Sequence, residues 1–170
     1  MTADQLRGLQ APFKDRYKTD PATARQVLHA EGTLDGDRLT CRVRTGNGVT
    51  EAGLHPSTGG DGRDRCAGDM LLEALVACAG VTLRAVATAM SIPIRGGSIH
   101  AEGDLDFRGT LGVSKDAPVG LTAIRLAFDL DTDANPEQLE TLVRLTKRYC
   151  VVYQTLVKSP VIEERMVAKN

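Results

Sequence analysis

The residues of this 170-residue chain with the most chemistry open to them are its four cysteines, Cys41, Cys66, Cys78 and Cys150. A thiolate is a nucleophile, a metal ligand and a redox centre, and its surroundings decide which role it takes. Metal binding finds no support, because His29, His55 and Cys66 stand at no metal-site spacing from any other Cys or His. No second cysteine follows Cys78 or Cys150 at the spacing of a C-x-x-C redox motif. Cys41 falls in an alternating stretch and reads as a strand core residue, while Cys66 closes a polar loop. Cys78 and Cys150 are different: each is expected mid-helix, on an apolar face. Cys78 shares its face with Leu71, Ala74, Leu75, Val81, Thr82 and Ala85, and Cys150 with Leu142, Val143, Thr146 and Tyr153. Helices packed about 8–10 Å apart can bring opposing side chains together, so a Cys78–Cys150 pair is geometrically open. Burial as plain core is the competing reading, since free Cys is among the most buried residue types. An apolar site raises a thiol pKa, so a working pair needs a compensating hydrogen bond or an Arg or Lys from elsewhere.

The element that must position Cys78 is the stretch Asp69 to Met90, with only three charged residues, Asp69, Glu73 and Arg84, in 22 positions. As a helix it spans roughly 33 Å. An element apolar nearly all round is expected to be buried on most sides, and the three charges argue against a bilayer span. Asp69 suits the first turn, where the helix dipole favours an acid. The element that must position Cys150 is predicted over 136–158: Asn135-Pro136-Glu137-Gln138 combines a cap, a first-turn proline and a capping-box glutamine. Ser159-Pro160 stops it, and VIEERMVAKN is expected as a short final strand.

Strands are expected near 37–45, 98–108 and 121–131. Asp35-Gly36 between alternating runs predicts a hairpin. Leu39, Cys41 and Val43 would share one face, and Arg38, Thr40, Arg42 and Arg44 a solvated one. In 98–108, Ile99, Ala101, Leu105 and Phe107 alternate with polar residues, including His100, which therefore is not expected to act as a base. The glycine-rich loop 53–65 lacks both the P-loop ending and the dinucleotide spacing. Residues 1–23 read as a helical arm punctuated by Pro12 and Pro21, and 24–170 as one further domain. The fold class is α+β: a long buried central helix against antiparallel sheet.

Bulk properties exclude several function classes. Net charge is −1, with 25% charged and 42% apolar residues, so the chain has no field for nucleic acid and no polybasic membrane patch. The segment MTADQLRGLQ lacks the apolar core of a signal peptide, and a cytoplasmic, reducing setting is the expectation, in which four cysteines are not a disulfide framework. With no Trp, three Phe and three Tyr, the core must be aliphatic.

Taken in order, hairpin, apolar helix with central cysteine, two alternating strands, helix with Arg-Tyr-Cys and terminal strand, the chain resembles the OsmC/Ohr family (osmotically inducible protein C and organic hydroperoxide resistance protein). GDMLLEALVACAG ending at Gly80 and LTKRYCVVYQTL ending at Leu156 carry the resemblance, and GDLDFRG at 103–109 supports it. It spans roughly residues 25–168 and leaves the N-terminal arm outside. It implies an intertwined homodimer with the central helices buried between sheets. It also implies a thiol-dependent peroxidase that reduces organic hydroperoxides in stress defence, without a cofactor or metal, at the expense of a dithiol reductant. Cys78 would then be the peroxidatic and Cys150 the resolving cysteine, with Arg38 and Asp69 as activating or substrate-positioning residues. The sequence departs from the family pattern in three places: Gly68, not an acid, lies ten before Cys78; Arg38 lies beyond the first hairpin turn; and Val151 follows the second cysteine where proline is common. Two alternatives stand beside the enzyme reading: a dimer holding a small apolar ligand, and a redox sensor without turnover.

Overall fold

The computed structural model describes residues 1–34, 36–46 and 48–168. Helix α1 (Ala3–Thr19) opens on a capping box in which Thr2 Oγ1 accepts from the Gln5 amide at 3.2 Å and Gln5 Oε1 accepts from the Thr2 amide at 2.8 Å. Pro12 lies inside this helix and does not end it. A 3-10 turn at Pro21–Ala24 follows, capped by Asp20. Strands β1 (Glu31–Leu34), β2 (Cys41–Thr45) and β3 (Gly48–Gly53) form an antiparallel meander, and the short β4 (Arg65–Cys66) pairs parallel to β3. The expected first hairpin is therefore present, with Leu34 opposite Cys41. Asp35 of its turn lies outside the described residues. Cys41 and Val43 are half-buried while Arg42 and Arg44 are exposed, as the alternation requires; Leu39 falls short of the strand and is exposed. Strand β3 went unread because its only large apolar residue is Val49.

Helix α2 (Ala67–Ala89) starts two residues before the predicted span. Beside it run β5 (Gly96–Leu105) and β6 (Leu121–Asp131), an antiparallel hairpin. Gly97 is required at its start: φ is +148°, and a Cβ there would sit 2.3 Å from the Asp129 carbonyl oxygen. Strand β5 stops before Phe107, because Asp106 caps the short helix α3 (Phe107–Thr110) by accepting from the Arg108 amide at 3.0 Å. Phe107 instead stacks on His55, ring centroids 4.7 Å apart. Outward on the hairpin, Arg125 reaches from β6 to Glu102 and Asp104 of β5. Such solvated pairs guide register more than they stabilise.

Helix α4 (Pro136–Tyr149) begins on the predicted capping box, Asn135 Oδ1 accepting from the Gln138 amide at 2.9 Å and Gln138 Oε1 from the Asn135 amide at 3.0 Å. The predicted helix to 158 is not continuous: it breaks at Cys150 and resumes as α5 (Val151–Val157). The final strand is absent among the described residues. Val161, Ile162 and Met166 are exposed, and the order Val-Ile-Glu-Glu-Arg-Met-Val alternates too poorly to offer a single face to a sheet.

Burial follows the i, i+4 period. Leu75, Ala79, Leu83 and Ala87 of α2 form one buried stripe. Leu83 and Ala87 pack with Ile92, Leu142 and Phe128; Leu75 and Ala79 pack with Cys150, Leu126 and Tyr153. The aliphatic content of α2, enough by length and composition to cross a bilayer, is here spent on that side against the hairpin and α4–α5. The opposite side is largely open within the chain, with α1 reaching only its C-terminal half: Val81 is 74% and Leu71 42% exposed. Within one chain the helix is buried on its striped side against the hairpin and α4–α5, and the first sheet packs on it chiefly through β4. Leu142 is fully buried between α4 and α2. Its replacement by Ala should lower unfolding stability by about 2–5 kcal/mol in urea titrations, the range for a cavity-forming core truncation.

Candidate active site

The structure brings Cys78 and Cys150 together. Cys78 is half-buried on α2, and Cys150 is 1% exposed at the junction of α4 and α5; both belong to one packed cluster, and both are free thiols.

The junction is what equips the pair. Cys150 adopts extended backbone angles, φ −73° and ψ 111°. Its amide still donates to the Thr146 carbonyl at 2.9 Å, the last helical bond of α4. Its Sγ accepts from the Tyr153 amide at 3.4 Å, so the second cysteine caps α5. The Lys147 carbonyl, which a continuous helix would have offered to the Val151 amide, is taken by Gln154 Nε2 at 2.8 Å. The break therefore leaves the Val151 and Val152 amides without intrahelical acceptors, and both lie against Cys78. The helix turns here although Val151 stands where proline would enforce it.

Electrostatics divide the two thiols. Burial opposes ionisation of Cys78, but the Val152 amide, the Cys150 thiol, the Val151 amide and the Thr82 hydroxyl outweigh it and hold its pKa below the ordinary thiol value. Burial pushes Cys150 up; the Tyr153 amide works against that, and the neighbouring Cys78 adds to it as acceptor of the Cys150 proton and as a like charge. The first proton lost from the pair thus comes from Cys78. No cation is among the groups that hold its sulfur.

The other expected site residues lie apart from the pair. Arg38 donates from Nη2 to Asp64 Oδ2 at 2.6 Å and from Nη1 to Glu51 Oε2 at 3.1 Å, and its pKa is raised chiefly by Asp64. Asp69 is exposed in the first turn of α2. That helix is regular from Ala67, so nine residues set Asp69 about half a revolution from Cys78 and about 13 Å along the axis. Among the described residues no group of three His, Cys, Asp or Glu could hold a metal. Sequence reasoning placed Thr82 on the Cys78 face without giving it a role, and its i+4 position was the available signal. It also placed Thr146 on the Cys150 face without giving it a role, and its buried hydroxyl has no hydrogen-bond partner among the described residues; the two valine amides it missed, because the sequence does not advertise them.

A family model described as OsmC-like protein matches residues 60–165. Among solved structures, the fold is similar to that of an OsmC-like protein from Mycoplasma pneumoniae, with TM-score 0.66 and 16% identity over 79% of this chain and 89% of that one. It is similar to an organic hydroperoxide resistance protein OsmC from Legionella pneumophila, with TM-score 0.61 and 17% identity over 79% and 93%. It also resembles an organic hydroperoxide resistance protein from Elizabethkingia anophelis with thiocyanate bound, with TM-score 0.61 and 15% identity over 79% and 91%. At these identities the likeness is one of fold. No curated protein matches the sequence.

The opposed pKa directions yield a test with a definite sign. A lowered pKa means that thiolate, the alkylatable form, is present at Cys78 below the pH at which a free thiol ionises, and is lost only as pH falls through the shifted value. Alkylation of native protein by iodoacetamide, followed by peptide mapping, should modify Cys78 with a midpoint below that of the unfolded chain's thiols. Cys150 should react with a midpoint above it. Coincident midpoints would contradict the assignment.

Proposed function

The chain belongs to the OsmC-like family, and on that premise we propose that it is a thiol-dependent peroxidase reducing organic hydroperoxides through Cys78 and Cys150. A redox role in stress defence is supported by the family and by neighbours named for organic hydroperoxide resistance. The observation that carries the finer reading is the asymmetric pair: an accessible cysteine inclined to thiolate touching a buried cysteine that keeps its proton.

In the proposed cycle the Cys78 thiolate attacks the outer peroxide oxygen. An S–O bond forms, the O–O bond breaks, and its electron pair leaves on the alkoxide, which takes a proton to become the alcohol. Cys78 is then a sulfenic acid. The sulfur of Cys150 attacks it, forming the S–S bond and releasing hydroxide, which leaves as water with the Cys150 proton. A dithiol returns two electrons and two protons to regenerate both thiols. The amides of Val151 and Val152 and the hydroxyl of Thr82 hold the thiolate before attack, so activation uses neutral donors already fixed in place.

We further propose a homodimer, in which a second copy covers the bare side of α2 that carries Leu71, Ala74 and Ala77. Arg38 and Asp69 enter the proposal at that level. In one chain Arg38 is engaged by Asp64 and Glu51, and Asp69 lies on the far side of the helix, so either would act on a sulfur across a chain–chain contact.

Purified protein supplied with dithiothreitol should consume cumene hydroperoxide, and Cys78→Ser should reduce consumption to the uncatalysed rate. Cys150→Ser should slow steady turnover at least tenfold while a Cys78 sulfenic acid accumulates, trapped by dimedone. One equivalent of hydroperoxide should give a Cys78–Cys150 disulfide on peptide mapping; Cys78→Ser protein with full activity would refute the reading. Light scattering should give twice the 18.2 kDa chain mass at micromolar concentration, and a monomer would remove the dimer from the proposal.

A further inference from the structure

Three backbone amides leave the helical ladder where α4 gives way to α5, and all three are directed at sulfur. Those of Val151 and Val152 lie against Cys78, and that of Tyr153 donates to Cys150 Sγ at 3.4 Å. The covalent structure alone does not require this. Val151 carries an N–H and can take helical angles, so its amide could close onto the Lys147 carbonyl and extend α4. Packing against α2 draws Cys150 into extended angles, but a free Lys147 carbonyl would still compete for the amide that faces Cys78. That carbonyl is not free. The Gln154 side chain reaches back seven residues, and its Nε2 donates to the Lys147 oxygen at 2.8 Å. The backbone amide of Gln154 donates to the Cys150 carbonyl at 2.9 Å, at the start of α5. One residue is thus anchored on the new helix while its side chain closes off the old one.

We propose that Gln154 is a positioning residue of the thiol site: by occupying the Lys147 carbonyl, its carboxamide keeps the Val151 and Val152 amides aimed at Cys78. A carbonyl left unpaired at the junction seeks a donor, and the one that helical geometry offers it is the Val151 amide. Closing that bond would turn the Val151 peptide away from the sulfur and draw the Val152 amide toward the Arg148 carbonyl. Cys78 would keep its Thr82 and Cys150 partners against an undiminished burial. Gln154 is not among the groups acting on that sulfur, so its influence runs through the backbone. Lys147, whose ammonium lies over the Tyr153 ring 5.8 Å from the centroid, is not among them either. The role deepens the peroxidase reading and rests on it only for its effect on turnover.

The test is the pH dependence of Cys78 alkylation by iodoacetamide in Gln154→Leu, which keeps most of the side-chain bulk and cannot donate. In the full-length chain the midpoint should rise by at least about half a pH unit, a roughly threefold loss of thiolate at pH values below it. The same substitution is then made in a Val151→Pro background. Proline has no N–H to give Lys147 and suits the first position of a helix. The angles of Cys150, φ −73° and ψ 111°, lie in the extended region that a residue before proline adopts. There the ring holds the break, so adding Gln154→Leu should leave the midpoint of Val151→Pro protein unmoved. A Gln154→Leu midpoint equal to that of the unsubstituted chain overturns the proposal. An equal rise in both backgrounds also overturns it, because the carboxamide would then act on the sulfur by a route other than the break. Gln154→Asn, one methylene shorter, should move the midpoint in the same direction, and it decides the matter if circular dichroism shows Gln154→Leu misfolded. Alkylation needs no hydroperoxide. A raised midpoint in a chain that consumes no cumene hydroperoxide would keep the positioning role and remove the peroxidase, and an unmoved midpoint with intact consumption would do the reverse.

Discussion

Everything in this chain that bears on its chemistry depends on the packing of one stripe of α2, Leu75–Ala79–Leu83–Ala87, against the β5–β6 hairpin and the α4–α5 pair. Large and small side chains alternate along it, which lets neighbouring backbones approach at the alanines while the leucines fill the space between. Each fully buried leucine contributes about 1.5–3 kcal/mol of transfer free energy. Cys78 sits one residue off that stripe and so is half-buried, held firmly yet reachable. The complementary stripe on α4 runs Leu142–Thr146–Cys150, all buried at the same i, i+4 spacing. The two cysteines meet because both stripes are in contact, not because either cysteine has a strong preference of its own.

The break after Tyr149 turns that contact into a polarised pair. A continuous helix would have kept the Val151 and Val152 amides bonded to Lys147 and Arg148 and would have offered Cys78 nothing but apolar surface, which raises a thiol pKa. With the break, two amides and one hydroxyl surround the sulfur and reverse the direction of the shift. The cost of the break is limited, since Cys150 Sγ caps the new helix and Gln154 takes the abandoned Lys147 carbonyl. Hydrogen-bond donors in a partly dry site stabilise an anion more than they would in water, so a thiolate is favoured here without an adjacent cation.

The division of the molecule into two poorly joined halves follows from the same frame. The first sheet meets the central helix chiefly through β4, while Arg38, Arg42, Glu51 and Asp64 cross-link that sheet to its own loop. One side of α2 is left with Leu71 and Val81 open and with Ala74 and Ala77 between them. A surface of this kind marks an interaction face more often than a resting one.

Much was legible in the sequence because it is written in local periodicity. The apolar run around Cys78 fixed a long central helix, strict alternation located β5 and β6 to within a few residues, and Asn135-Pro136-Glu137-Gln138 marked where α4 begins; each is a short-range preference that the residues carry with them. The resemblance to a family rested chiefly on the two cysteine segments and was expected over roughly residues 25–168; the family model bears it out over 60–165. Other features belong to no local pattern. The sequence of α4–α5 has good helical periodicity through Cys150, so only contact with α2 could decide that the helix breaks there and points its amides at Cys78. The final segment forms no strand among the described residues because a strand exists only by pairing, and none of them pairs with it. Which side of α2 is buried, and that Arg38 binds Asp64 and Glu51 rather than facing a sulfur, are likewise settled by the arrangement of elements in space, since a helix apolar nearly all round and a strand-edge arginine suit several neighbours equally well until the packing chooses one.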